Sequence, residues 1–357
     1  MDERALLLNV LKVFGLSALS FFIAFFITPF LTHYLYKYKL WRSNVERKAA
    51  TGEDAPIISS IFKERTRLET PRMGGVLIWG TTALIALFLF FVSRFTNDPL
   101  FEKLNFLSRN QTWLPLAALI VASLVGFVDD WMQVRGRDSY VGGGLDLKVR
   151  ILLVLIMGAV GAWWFYGPLE TRGLYIPFFG EIFIGVLIIP LFMFVMLAVF
   201  AGGVIDGLDG LAGGVFASII AAYGGIAYFQ AQIDLAAFLG VIGGALLAFL
   251  WYNIPPARFY MGETGMLGLT SMLTVVAFLT GAVVVLPIIA LPLVIEAGSD
   301  IIQIASKRWR GKKVFLAAPI HHHFEALGWP HYKVTMRFWI VSVVTAIMGM
   351  VIHIVGK

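Results

Sequence analysis

The 357-residue chain has no cysteine, which excludes disulfides, thiolate metal ligands and cysteine nucleophiles and leaves the redox compartment open. Charge is scarce as well, with 14% of residues Asp, Glu, Lys or Arg against about 25% in soluble globular domains. Together with a hydrophobic content of 59%, this shortage excludes a water-soluble enzyme of ordinary composition. No internal repeat or low-complexity tract is present. Long apolar runs are what the chain has in quantity, and they mark it as an integral membrane protein.

A membrane-crossing helix needs roughly 20 predominantly apolar residues. Such runs predict helices at about 6–36, 73–93, 113–128, 149–166, 183–203, 211–229, 235–252, 266–285, 287–305 and 337–355. The expected fold is an all-α integral membrane protein of about ten transmembrane helices, forming one polytopic domain over 1–357. If the eighth and ninth runs merge through Pro287 into one kinked element, the count becomes nine and the C-terminus changes sides. The first run follows Met1-Asp2-Glu3-Arg4 without a basic lead or a small-residue cleavage site, so it reads as a span and not a signal peptide. Turn residues around short aromatic and β-branched stretches at 167–182 predict a small periplasmic hairpin.

The cations set the orientation. Lys37, Lys39, Arg42, Arg47, Lys48, Lys63, Arg65, Arg67, Arg72, Arg135, Arg137, Lys148, Arg150, Arg258, Lys307, Arg308, Arg310, Lys312, Lys313, Lys333 and Arg337 fall in alternate loops, 21 of the 28 Lys and Arg. The positive-inside tendency places those loops in the cytoplasm and both termini outside. Segments 37–72, 129–148, 204–210, 253–265 and 306–336 become cytoplasmic catalytic loops. The net charge of +6 then reflects topology and phosphate handling, with no need for nucleic acid.

The few acids gather on that same face. Asp129 and Asp130 end the third run, Asp206 and Asp209 follow the fifth, Glu263 follows the seventh and Glu325 follows the ninth. Any one of them alone would serve as a helix cap or as a partner for a loop cation. All of them on one face point to a shared site, because clustered carboxylates at a membrane boundary are costly unless cations or a metal neutralise them. Mg²⁺ suits oxygen ligands and is usually held by one or two carboxylates plus substrate phosphates. Asp206 and Asp209 stand one helical turn apart and share a face if the segment is helical. Gly207 and Gly210 let a ligand approach the backbone.

His321, His322 and His323 cannot all address one ion, since three consecutive side chains diverge. They suit contact with phosphate or the acid cluster, proton exchange near neutral pH, or bonds to loop backbone. The basic loop ending in Thr70-Pro71-Arg72-Met73-Gly74-Gly75 is either a solvated loop or a phosphate contact. Glu296 and Asp300, four apart in the ninth run, share a helix face that should point into the bundle, either for function or for bonds between helices. His33 and His353 read as packing or interfacial residues.

Taken together, Thr70-Pro71-Arg72-Met73-Gly74-Gly75, Asp129-Asp130, Asp206-Gly207-Leu208-Asp209-Gly210-Leu211-Ala212, Phe249-Leu250-Trp251-Tyr252-Asn253, Met261-Gly262-Glu263 and Ala318-Pro319-Ile320-His321-His322-His323-Phe324-Glu325 closely resemble the phospho-N-acetylmuramoyl-pentapeptide transferases. These belong to the polyprenyl-phosphate N-acetylhexosamine-1-phosphate transferase superfamily. The resemblance covers about residues 66–340, and its histidine run followed by Gly328-Trp329-Pro330 is specific to the muramoyl branch. It implies transfer of phospho-N-acetylmuramoyl-pentapeptide from its UDP carrier to undecaprenyl phosphate, giving UMP and lipid I at the bacterial inner membrane, with Mg²⁺ and within a homodimer.

The resemblance also implies roles for individual residues. Asp129 and Asp130 serve the acceptor phosphate, one of them as a base. Asp206 and Asp209 line the nucleotide and metal site, with Gly207 and Leu208 in the same substrate loop. Glu263 stands at the family's metal-binding Asp. Asn253 and Tyr260 match uridine contacts, His321 to His323 contact phosphate or sugar, and Arg67 and Lys148 supply cations.

The chain departs from the family pattern in several places. Gly203, Val204 and Ile205 replace the usual Asn-Leu-Thr before the Asp-Gly, Glu263 is one methylene longer than Asp, Tyr260 replaces Phe, and Gln133 replaces Lys. These changes keep a sister transferase using UDP-N-acetylglucosamine or another UDP-sugar in play. Glu296 and Asp300 similarly motivate a remote alternative, an ion-coupled transporter.

Overall fold

Apolar segments in a bilayer must close their own backbone hydrogen bonds, and helices do this within one segment. The computed structural model describes residues 3–41, 70–96, 98–108, 111–135 and 144–357, with side chains from residue 6 onward. Helix α1 (Glu3–Val10) passes through a π-helical turn, Leu11–Gly15, into α2 (Leu16–Lys37). Then come α3 (Val76–Phe95), the short α4 (Pro99–Leu104), α5 (Trp113–Arg135) and α6 (Leu147–Tyr166). After the hairpin strands β1 (Gly173–Ile176) and β2 (Gly180–Phe183), α7 (Ile188–Ala201) ends in a 3-10 turn, Gly202–Ile205. The chain continues as α8 (Leu211–Phe229), α9 (Ile233–Asn253), α10 (Gly262–Leu279), α11 (Leu286–Ile289), α12 (Leu291–Arg310), α13 (Ile320–Ala326) and α14 (His331–Val355).

Among the described residues, nine helical segments are long and apolar enough to cross a membrane. The remaining expected span, α12, is a separate helix of 20 residues. Glu296, Asp300 and the basic last turn interrupt its apolar run, which is why composition sets it apart. The eighth and ninth runs do not merge, because Gly281, with φ +65, turns the chain after α10, and Ala290 separates α11 from α12. The hairpin lies where the turn residues placed it, with Gly173 opposite Phe183 and Ile176 opposite Gly180. Its Phe178 amide donates to Gly356 O at 2.8 Å and ties it to the C-terminal end of α14.

Two helix ends differ from the apolar pattern in a way that matters for the site. Helix α5 runs on to Arg135 instead of stopping near 128, so Asp129 and Asp130 sit on its last turns. Helix α10 starts at Gly262, which puts Glu263 in its first turn and not in a loop. A helix satisfies its own backbone, so it can outlast the apolar side chains and carry acids at its end.

Small residues bring the helices together, as expected where lipid removes the hydrophobic drive between helices. A Cβ at Gly126 on α5 would collide with the backbone of Glu263 and Thr264, and one at Gly265 would meet Gly75. Thr264 Oγ1 donates to Ser123 O at 3.0 Å and Trp79 Nε1 donates to Thr264 Oγ1 at 3.2 Å, so α3, α5 and α10 lock at one level. Elsewhere Gly244 on α9 lies against the Ser17 backbone of α2, and Gly214 on α8 lies against the Trp339 ring of α14. Helix α10 is buried on almost every face and forms the central post of the bundle.

Because the atoms facing Gly126 are backbone, they cannot yield by changing rotamer. Gly126→Val is expected to force α5 and α10 apart and destabilise the protein by about 3 kcal/mol, at the upper end for overpacking. Thermal unfolding of the detergent-solubilised variant checks this, and an unchanged midpoint would show that the two helices are not held at backbone contact.

Candidate active site

The acids converge at the end of the bundle where α5 finishes and α10 begins. Arg150 on α6 donates from Nη1 to Glu263 Oε1 at 2.8 Å, and its Nη2 lies 3.0 Å from Asp129 Oδ2. One guanidinium therefore bridges two carboxylates from different helices. Asp129 also accepts from Gln133 Nε2 at 2.9 Å and from the Leu145 amide. With three donors on it, Asp129 is fully engaged.

Asp130 is buried and differently placed. Its Oδ2 accepts from the Thr264 amide at 2.9 Å, in the first turn of α10. Free amides at a helix N-terminus carry partial positive charge, so this position suits a carboxylate. Its Oδ1 is 3.6 Å from Arg72 Nε and accepts no hydrogen bond among the described residues. Burial opposes the charge on Arg72, yet Asp130, Asp206, Glu263 and Asp129 around it more than offset that and hold its pKa above the ordinary arginine value.

The loop between the 3-10 turn and α8 carries Asp206 to Gly210. The sequence allowed Asp206 and Asp209 to share a face of one helix, but this segment is a turn, with Asp206 at φ −74, ψ 55 and Gly210 at φ +74. Its small residues favour a turn, and the two acids grip different parts of the facing loop. Asp206 Oδ2 accepts from the Gly262 amide at 3.0 Å, and Asp209 Oδ2 accepts from the Ala257 amide at 3.1 Å. Burial, eased by Arg72 and the Gly262 amide but reinforced by Glu263 and Asp209, pushes Asp206 up to about 6.

Asn253 is buried between the same two loops. Its Oδ1 accepts from the Gly210 amide at 3.0 Å while its Nδ2 donates to Phe259 O at 2.8 Å. Tyr260 is half-buried, with its amide donating to Pro71 O at 2.8 Å, so the loop before α3 lies on this site too. Leu208 is buried and anchors the turn.

The three histidines do diverge. His321 lies beside Gly207, where any Cβ would strike its Nε2, and its Nδ1 lies 2.7 Å from Glu296 Oε2. His322 Nδ1 lies 2.7 Å from Glu325 Oε2 on the same short helix. His323 Nδ1 accepts from the Leu316 amide at 3.2 Å and packs edge-on against Phe315. His321 thus faces the acid loop, whereas His323 braces the chain leading into α13.

Asp129, Asp130, Asp206, Gly207, Asp209, Asn253, Glu263 and His321 are brought together. Lys148 is exposed on the first turn of α6, and Arg150, two residues on, is the cation that reaches the acids. Arg67 lies outside the described residues, as does the rest of the basic loop from 42 to 69. The sequence offers Arg150 only as a loop cation and leaves Arg72 and Glu296 open between a functional and a structural reading; the structure brings all three to the acids and histidines. Spacing from Lys148 offered one signal, since two residues along a helix rotate a side chain by about half a turn onto the opposite face.

A multi-pass helical protein with carboxylates, guanidiniums and imidazole collected at one bundle end has the features of a membrane-embedded transferase. In keeping with this, residues 112–281 match the family described as glycosyl transferase family 4. Three similar proteins are each named phospho-N-acetylmuramoyl-pentapeptide-transferase. That of Chloroflexus aggregans is 31% identical over 361 residues, spanning 97% of this chain and 91% of the relative. Those of Chloroflexus aurantiacus and Rubrobacter xylanophilus are 34% and 37% identical, covering 79% and 80% of this chain and 77% and 83% of the relatives. The chain belongs to the phospho-N-acetylmuramoyl-pentapeptide-transferase family.

Two outcomes follow from this geometry. Gly207→Ala is expected to displace His321 and lower turnover at least about tenfold, with little change in the unfolding midpoint of an otherwise intact bundle; turnover at the wild-type level would mean the ring has room to move. The second concerns pH. An aspartate raised to about 6 from an unfolded value near 3.8 carries a cost that is absent below the lower value and complete above the higher one. Asp206→Asn should therefore be more stable than wild type in EDTA at pH 7.5, and the difference should shrink as the pH falls through 6 towards 4. A pH-independent difference in thermal unfolding would contradict the assignment.

Proposed function

We propose that the protein transfers phospho-N-acetylmuramoyl-pentapeptide from UDP-N-acetylmuramoyl-pentapeptide to undecaprenyl phosphate, releasing UMP and forming lipid I. The observation that carries this reading is the convergence of Asp130, Asp206, Glu263 and His321 from four separate segments, in a chain that matches its relative along 97% of its length. The distribution of Lys and Arg supports placing that bundle end at the cytoplasmic face of the bacterial inner membrane. There a lipid phosphate in the bilayer can meet a water-soluble nucleotide-sugar. Assembly as a homodimer is the expectation drawn from the resemblance.

In the reaction an oxygen of the acceptor phosphate bonds to the sugar-bearing phosphorus of the donor. The anhydride bond to UMP breaks, and UMP leaves with the bridging oxygen. Catalysis of this kind is largely positioning and charge neutralisation. Arg72 and Arg150 are the cations placed to meet phosphate, with the carboxylates holding them until substrate arrives. Asp130 Oδ1, buried beside Arg72 without a hydrogen bond among the described residues, is a carboxylate oxygen that a ligand could engage. Asn253 holds the Gly210 and Phe259 loops at a fixed separation, which shapes the nucleotide side of the site.

The donor set fits Mg²⁺ of the kind held by one or two carboxylates with substrate phosphates. Among the described residues no group of three or more His, Asp or Glu converges in the manner of an all-protein metal cage. Asp206 and Glu263 are the residues that would hold the ion. When bound, it would neutralise charge on the phosphates. Gly203 and Ile205 offer no polar side chain beside the nucleotide loop, so donor choice must rest on other contacts.

Purified protein with Mg²⁺, undecaprenyl phosphate and UDP-N-acetylmuramoyl-pentapeptide is expected to release UMP, to stop in EDTA and to recover on added Mg²⁺. Release of UMP only from UDP-N-acetylglucosamine would instead establish a sister transferase. Glu263→Gln is expected to lose nearly all turnover while Glu263→Asp keeps it; normal activity in the Gln variant would remove Glu263 from the metal site.

A further inference from the structure

Helix α12 carries a buried polar stripe of Glu296, Ser299, Gln303 and Ser306. Three of these residues perform a structural task, pinning the chain that leads to the histidines. Ser299 Oγ accepts from the Ile320 amide at 2.9 Å, and Gln303 donates to Phe315 O while accepting from the Val314 and Phe315 amides. Ser306 Oγ donates to Lys312 O at 2.9 Å. Neutral side chains are sufficient for all of this.

Glu296 differs in three respects. Its partner is a side chain capable of chemistry, since Oε2 lies 2.7 Å from His321 Nδ1 and both residues are fully buried. Its other oxygen, Oε1, is buried with no hydrogen-bond partner among the described residues. Finally, a neutral amide could accept from Nδ1 as well, so packing alone does not call for an ionisable group here. A carboxylate does one thing an amide cannot, which is to fix the proton on Nδ1 and stabilise the ring when it gains a second proton at Nε2. Nε2 is the atom that faces Gly207 and the Asp206 loop.

We propose that Glu296 is a positioning residue for the transfer reaction, holding His321 by Nδ1 so that Nε2 is presented to the Asp206–Gly207 loop. Its role rests on the transferase reading given above. His321 meets the substrate phosphates, and Glu296 acts through His321 without touching the substrate itself.

The test compares Glu296→Gln, Ser299→Ala, His321→Ala and the Glu296→Gln/His321→Ala double variant for UMP release and thermal unfolding. Glu296→Gln, which keeps the shape and an acceptor for Nδ1, should lose at least about tenfold in kcat while the donor KM changes less than about threefold. Added to His321→Ala it should cost less than about a further twofold, because the two residues act as one unit. Ser299→Ala, which touches only backbone, should lower the unfolding midpoint and leave kcat within about twofold of wild type. A second measurement does not depend on turnover. Histidine ¹⁵N NMR of the wild type should place the His321 proton on Nδ1, and Glu296→Ala should move it to Nε2. Full kcat in Glu296→Gln, losses that multiply in the double variant, or an Nε2 proton in the wild type would each overturn the proposal. A folded wild type that releases no UMP defeats the transferase reading instead, while the NMR experiment still decides where the proton sits.

Discussion

The bridge from Arg150 to both Asp129 and Glu263 is the interaction on which the site depends. Without it, a carboxylate on the last turns of α5 and one on the first turn of α10 would face each other with no cation between them, at a place largely shielded from water. Removing one member of a buried ion pair leaves an uncompensated charge, which typically costs 3 to 5 kcal/mol. Arg72 plays the same part for Asp130 and Asp206 from the other side. The acids can therefore be concentrated before any phosphate arrives, and the same cations are then available to the substrate.

Charge neutralisation succeeds only because the backbones are close. Gly126 and Gly265 let α5, α3 and α10 approach to backbone contact. At that distance the first turn of α10 offers its Thr264 amide to Asp130, and the Gly262 amide reaches Asp206. Helix packing and carboxylate placement are thus one event, since the glycines decide where the amides sit and the amides decide where the acids are held. A side chain at Gly126 would disturb both.

The second half of the site comes from α12. It runs as a separate helix and fastens the segment from Lys312 to His321 through a single polar stripe. This explains how three neighbouring histidines acquire different surroundings: one faces the acid loop, one pairs along its own helix, and one supports the loop before it.

Much of this was legible in the chain itself. Apolar runs marked the helices because a bilayer admits little else, and the turn residues at 167–182 marked the hairpin because they end strands wherever they occur. The scarcity of acids drew attention to Asp129, Asp130, Asp206, Asp209 and Glu263, and the motifs around them named the family. Local pattern could not show that Asp206 and Asp209 lie in a turn and hold different amides, that Arg150 and not Lys148 reaches the acids, or that Glu296 meets His321 across 25 positions. Hydrophobicity and charge act on each residue where it stands, so the sequence alone determined what enters the membrane and which residue types are available for chemistry. Pairing of opposite charges and docking of amides depend on distances between remote segments, and those were decided only when glycine contacts brought the helices together.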